Sequence, residues 1–199
     1  MNNPTIPKIL LLPGWQNSGP GHWQTRWESQ HGFERVQQDD WQWPRRGDWM
    51  IRLEEALLAN PDPQQPTLLV AHSLGCHLVA AWAAHSQHAG RVVGALLVAP
   101  PDLQRADLPP QVSAWASRPG GALSGTALPF AATAVLSADD PFCDAGRGLQ
   151  MAAGWGCEIH TLGAAGHVNA DSGLGDWPEG LGLLVDLARR GGMAGSLFG

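Results

Sequence analysis

The sequence predicts an α/β fold: one domain spanning residues 1–199, with a mostly parallel sheet of about six strands covered by helices on both faces. Three observations carry this. Short apolar runs recur at residues 8–12, 67–71, 91–99 and 131–136 without strict polar alternation, as strands buried on both faces require, and residues 157–162 read as a further buried strand. Segments with helical spacing separate them. The length of 199 residues, 44% hydrophobic and 15% charged, suits one domain with a full-sized core and excludes a disordered chain.

The elements follow in order. Residues 8–12 form the first buried strand, which stops at a polar Gly/Pro loop from Pro13 to Gly21. Pro20 sits where a first helical residue would, Trp23 and Trp27 share a helix face, and Gly32 suits a C-terminal cap. Residues 33–37 can form a second strand. Asp48 is a good N-cap for a helix whose apolar stripe is Trp49, Leu53, Ala56 and Leu57. The strand at 67–71 runs into a helix at 74–88, with Leu78, Ala81 and Trp82 inward. The strand at 91–99 ends at Pro100-Pro101. Residues 102–129 are rich in Pro and Gly and read as a long loop with short helical pieces. A strand at 131–136, a helix at 144–153 and a strand at 157–162 follow. The last helix spans 178–190, with Leu181, Leu184, Val185 and Ala188 on one face and Arg189, Arg190 and Gly191 at its end. Residues 191–199 read as a loose tail.

Composition narrows the function classes. The formal net charge is −6, and no Lys/Arg run exceeds two (Arg45-Arg46, Arg189-Arg190), which argues against nucleic acid or an anionic membrane as partner. Cys76, Cys143 and Cys157 match no metal or redox spacing, and their odd number fits a reducing compartment. No stretch has the length of a signal-peptide core or a membrane span, so a cytoplasmic protein is expected. Ten Trp and no Tyr point to Trp as the bulky filler of core and pocket.

The stretch Ala71-His72-Ser73-Leu74-Gly75 joins an apolar strand to a helix with Ser at the apex. That is the context of a nucleophile elbow, here with Ala in place of the commoner first Gly. A Ser that merely N-caps a helix would look the same locally. The ends of the other strands decide between them, because ligands in such sheets bind beyond the carboxyl ends of the strands. Asp139-Asp140 follows the fifth strand, His167 the sixth, and a Gly-rich loop the first. The order Ser…Asp…His is that of α/β-hydrolases.

Each residue type has a chemical reason. The Ser73 hydroxyl needs a base to attack a carbonyl. His167 can take the proton and return it, and a carboxylate on its other nitrogen fixes the tautomer. Asp140 is favoured for that carboxylate over Asp139, with Asp102 and Asp107 as outside choices. The N–H groups of Leu74 and Trp15 are the expected oxyanion donors. Gly14, Gln16, Asn17, His72 and Asn169 are the expected pocket residues. His85 and His88 have a spacing that could bind metal, but no third ligand is evident, and no metal or organic cofactor is expected. His160 lies within the last strand and points to a sheet face.

Several stretches together resemble the small serine hydrolases related to retinoblastoma-binding protein nine. They are Leu12-Pro13-Gly14-Trp15-Gln16-Asn17-Ser18 followed by His22-Trp23-Gln24 and Trp27-Glu28; Asp40-Trp41 with Pro44 and Trp49; Val70-Ala71-His72-Ser73-Leu74-Gly75; Ser137-Ala138-Asp139-Asp140-Pro141; and Gly166-His167-Val168-Asn169-Ala170-Asp171-Ser172-Gly173 through Trp177-Pro178-Glu179-Gly180. The resemblance spans about residues 9–187. It implies a three-layer α/β-hydrolase fold, a triad of Ser73, Asp140 and His167, and an oxyanion role for the loop 14–18. Residues 103–129 match nothing residue by residue and lie where related enzymes carry cap elements. An L-x-C-x-E motif is absent, so the retinoblastoma-type partner does not carry over.

The expected function is hydrolysis of small carboxylic esters, or amides, through an acyl-enzyme on Ser73. An acyltransferase and a non-catalytic binding protein on the same scaffold are the alternatives.

Overall fold

Strands and helices alternate through the computed structural model, which describes residues 6–60, 62–116, 126–193 and 197. The elements are β1 (Lys8–Leu12), α1 (Trp23–His31), β2 (Glu34–Arg35), α2 (Arg46–Leu58), β3 (Thr67–His72), α3 (Leu74–Ala83), β4 (Val92–Val98), β5 (Ala131–Ser137), α4 (Ala145–Gly154), β6 (Glu158–Leu162) and α5 (Pro178–Arg190). The six strands form one sheet in the order β2-β1-β3-β4-β5-β6, and every pairing is parallel. The fold is a three-layer α/β-hydrolase sandwich.

The strand side chains sort onto two faces by simple alternation. Leu10, Leu12, Leu69, Ala71, Ala95 and Leu97 pack with Trp49, Leu53 and Leu57 of α2, Leu78 and Trp82 of α3, and Met151 of α4. Ile9, Leu11, Leu68, Val70, Leu96 and Val98 pack with Trp23 and Trp27 of α1 and with Leu184 and Leu187 of α5. Apolar residues on both faces are why these strands read as continuous hydrophobic runs. Seven of the ten tryptophans are fully buried, and Trp43 is exposed.

Several element ends differ from the sequence reading. Strand β2 keeps only two residues, because as an edge strand it pairs only Glu34 with Leu10 and Arg35 with Leu11. Helix α1 starts at Trp23, not at Pro20, because the His22 imidazole caps it by accepting the Gln24 N–H. Helix α2 starts at Arg46, so Asp48 lies in its first turn and is not its cap. Helix α3 stops at Ala83, not at residue 88. Beyond it His85 turns its Nδ1 to the Ala81 carbonyl, while Ser86 and His88 bond Glu54 of α2. Leu197, in the stretch expected to be loose, is buried in the α1–α5 layer; residues 194–196 and 198–199 lie outside the described residues.

The sheet order reverses between β1 and β3, which makes the carboxyl ends of these strands the switch point where such folds bind ligands. Much of residues 101–116 packs over that end. Leu103, Val112 and Trp115 are buried, and Trp115 Nε1 donates to Pro44 O at 2.8 Å. The remainder of the expected cap, residues 117–125, lies outside the described residues.

Candidate active site

Ser73 sits between β3 and α3 with φ 53° and ψ −123°, a backbone region that costs a non-glycine residue of the order of 1–3 kcal/mol. Flanking structure holds it there. The Ser73 N–H donates to Val98 O at 2.9 Å and its carbonyl accepts from Cys76 N–H at 2.9 Å. Two glycines make room. A Cβ on Gly75 would lie 2.3 Å from Leu12 O, so the small residue two after Ser73 is demanded by the end of β1 passing beneath the helix start. A Cβ on Gly14 would lie 2.7 Å from Ser73 Cβ and 3.2 Å from Leu74 N, so the first-strand loop crosses directly against the elbow. Gly14 therefore supports the elbow and does not line the cleft.

His167 reaches this point from the loop after β6. Its Nε2 is 2.8 Å from Ser73 Oγ, and its Nδ1 is 3.0 Å from both carboxylate oxygens of Asp140. The His167 and Asp140 side chains are both almost entirely buried. Asp140 also accepts the Phe142 N–H at 2.9 Å, which orients its carboxylate. Asp139 does different work. It accepts the Gly166 N–H at 2.7 Å and the Ser137 hydroxyl at 2.9 Å, and these bonds hold its carboxyl below the usual carboxylate range.

The backbone around His167 is gripped residue by residue. His72 Nε2 donates to His167 O at 2.9 Å, and Trp23 Nε1 donates to Val168 O at 2.8 Å. Val168 has φ 49°, an unusual conformation for a β-branched residue. The ring of His72 also meets that of His22, with centroids 4.6 Å apart. Burial pushes His22 down to about 4 and His72 well below its ordinary value, so both rings are neutral at physiological pH. His22 accepts at Nδ1, which puts its proton on Nε2, a buried atom without a hydrogen-bond partner among the described residues.

The first-strand loop is fixed from beneath. Gln16 and Asn17 both have positive φ, at 67° and 65°. Gln16 N–H donates to Trp41 O, and Asn17 N–H to Gly14 O. The guanidinium of Arg35, from β2, bonds Asn17 Oδ1 at 2.7 Å, Ser18 O at 2.9 Å and Thr25 Oγ1 at 2.7 Å, and pairs with Glu28 at 2.6 Å. Leu74 is the first residue of α3, so its N–H has no intrahelical partner.

A cleft of about 380 Å³ opens beside Ser73 and His167. Of the expected pocket residues, Gln16, Asn17, His72 and Asn169 line it, together with Trp15 and Leu74, the expected oxyanion donors. Sequence reasoning missed the lining residues Leu103, Leu108, Pro109 and Val112, because residues 102–129 show no periodicity to read, and it missed Phe142, whose ring lies 4.6 Å from that of His167. It also missed His22 and Arg35. The one available signal for Arg35 was a cation in a short apolar-flanked strand. Among the described residues no three His, Cys, Asp or Glu side chains gather as metal ligands; His88 Nδ1 instead pairs with Glu54 at 2.6 Å, and His160 with Glu179 at 2.8 Å. No helix among the described residues is long and apolar enough to cross a membrane.

Comparisons with known proteins agree with this architecture. A YdeN-like hydrolase structure from Pectobacterium atrosepticum superposes with a TM-score of 0.79 at 25% identity, over 92% of this chain and 91% of that one. The YdeN protein of Bacillus subtilis gives 0.65 at 17% identity, over 92% and 99%. Esterase 2 of Thermogutta terrifontis, in a structure phosphorylated by paraoxon, gives 0.63 at 18% identity, over 98% and 87%. The last two likenesses speak for the fold. No curated protein sequence matches the chain. Residues 9–186 match the family model described as serine hydrolase, and the chain belongs to that family.

Proposed function

We propose that this serine hydrolase cleaves carboxylic esters by two successive acyl transfers through Ser73. The observation that supports this reading is the continuous relay from Ser73 Oγ to His167 Nε2 and from His167 Nδ1 to Asp140.

In the first half, His167 Nε2 accepts the Ser73 proton as Oγ bonds to the ester carbonyl carbon. The Asp140 carboxylate keeps the Nδ1 proton in place and stabilises the imidazolium. Negative charge develops on the carbonyl oxygen. The N–H of Leu74 and the N–H of Trp15 are the donors assigned to it, since the neighbouring Gln16 and Asn17 N–H groups are already bonded. Collapse breaks the bond to the alkoxy group, which leaves with the proton from His167. In the second half, water gives its proton to His167 and attacks the acyl carbon. Collapse then releases the acid and returns the proton to Ser73.

The test is direct. Ser73→Ala should keep its unfolding midpoint and lose at least about a thousandfold in kcat, as removal of a nucleophile does. A fluorophosphonate probe should label the wild type and not the variant. Labelling that persists in Ser73→Ala, or esterase activity unchanged by it, would sink the assignment.

A further inference from the structure

We infer that the acyl group accepted by this site is uncharged and extended, an aliphatic chain laid along the wall that residues 101–112 build over the cleft. The inference rests on the assignment of Ser73 as nucleophile and deepens it.

The cleft lining mixes apolar and neutral polar residues. Leu103, Leu108, Pro109, Val112 and Phe142 supply its apolar part. The rest of the lining includes the neutral amides of Gln16, Asn17 and Asn169 and the imidazoles of His22 and His72. Among the described lining residues there is no Lys, Arg, Asp or Glu. That is not for want of charges nearby. Three charged residues lie within the wall segment itself, and each is taken up elsewhere. Asp102 pairs with Arg147 at 3.1 Å, and Arg105 pairs with Asp107 at 2.6 Å while also bonding Pro141 O. Asp140, the carboxylate nearest the reacting atoms, is consumed by His167 and the Phe142 N–H. Burial keeps His22 and His72 from supplying a positive charge at neutral pH.

An acyl group with a carboxylate or an ammonium would have to leave water here with nothing to pair it. A chain of methylenes meets the opposite situation. Each one covered by the wall gains up to about fourfold in kcat/KM, from roughly 0.8 kcal/mol of transfer free energy. A cavity of about 380 Å³ lies within the range of small-ligand sites and leaves room for more than an acetyl group. The wall segment also has the means to stay in place. Trp115 is anchored to Pro44 O, and the Asp102 N–H donates to Phe142 O at 2.9 Å.

The experiment compares p-nitrophenyl esters that share a leaving group. One set runs from acetate through hexanoate to palmitate. The other holds chain length constant: hexanoate, the adipate half-ester with a terminal carboxylate, and 6-aminohexanoate with a terminal ammonium. At pH 7.5, kcat/KM should rise from acetate to hexanoate, and both charged esters should fall at least tenfold below hexanoate. Leu108→Arg should raise the adipate half-ester at least tenfold relative to hexanoate. Charged esters turned over within tenfold of hexanoate by the wild type would overturn the inference. Fluorophosphonate labelling of Ser73 in the same samples separates the failures. A labelled enzyme indifferent to charge removes this inference alone, whereas an unlabelled one removes the nucleophile assignment as well.

Discussion

The imidazole of His72 donates from Nε2 to the main-chain carbonyl of His167, at 2.9 Å. The residue before Ser73 thereby holds the backbone of His167, whose ring meets the Ser73 hydroxyl. It does not act alone. Asp139 takes the Gly166 N–H and Trp23 takes the Val168 carbonyl, so three consecutive residues are each fixed by a different element of the fold. Val168, at φ 49°, needs such holding, because left alone it would relax toward negative φ and swing His167 with it.

Replacing His72 tests that grip. His72→Phe keeps an aromatic ring and removes the donor, leaving a carbonyl short of a bond worth about 1–2 kcal/mol. The expected result is a fall in kcat of roughly tenfold to thirtyfold with KM little changed. His72→Gln retains an N–H donor and should recover most of the loss. If Gln is no better than Phe, packing and not the hydrogen bond is what matters.

The two adjacent aspartates should separate cleanly. Asp140→Asn leaves His167 without the carboxylate that fixes its tautomer, and kcat should drop by about three to four orders of magnitude. Asp139→Asn weakens an acceptor for Gly166 N–H and Ser137 Oγ at the protein surface, and should cost less than about tenfold. Steady-state kinetics on both variants decides it, and the reverse ranking would exchange their roles.

Gly75 is constrained by space. A Cβ there would press on Leu12 O at 2.3 Å, a backbone atom at the end of β1 that cannot move without shifting the loop that follows it. Gly75→Ala should destabilise by about 1–3 kcal/mol and impair turnover together. Gly47→Ala, in α2 with nothing within 4 Å of the added carbon, should be neutral or stabilising by up to about 1 kcal/mol. Urea denaturation of both variants checks the contrast.

Why some of this could be read from sequence and some could not has a physical basis. Sheet residues with both faces buried must be apolar throughout, so β1, β3, β4 and β5 announced themselves, and chain order then placed Ser73, Asp140 and His167 at strand exits. Helix ends depended on tertiary partners. His22 caps α1 through its ring nitrogen, a role outside the usual capping residues, and Glu54 draws Ser86 and His88 away from α3. The apolar wall was invisible for another reason. Leu103, Leu108 and Val112 lie in irregular backbone, and without a repeat nothing in the sequence says which way a side chain turns.

Acid should unfold this protein earlier than its carboxylates alone require. His22 is buried and binds its proton only near pH 4, whereas an unfolded His binds it near 6.5. The unfolded chain therefore holds the extra proton throughout that window. The stability that His22 contributes is complete above about pH 6.5, falls as the pH drops toward 4, and changes no further below, since His22 is then protonated in both states. The full shift corresponds to about 3 kcal/mol from His22. His77, also lowered to about 4 by burial, adds a loss of the same sign over the same window. His22→Asn separates titration from capping, because Asn can still accept the N–H groups at the start of α1. Urea unfolding at pH 7 and pH 4.5 should show a smaller loss of stability in His22→Asn than in the wild type. An equal loss in both proteins would mean that His22 does not titrate as a buried group.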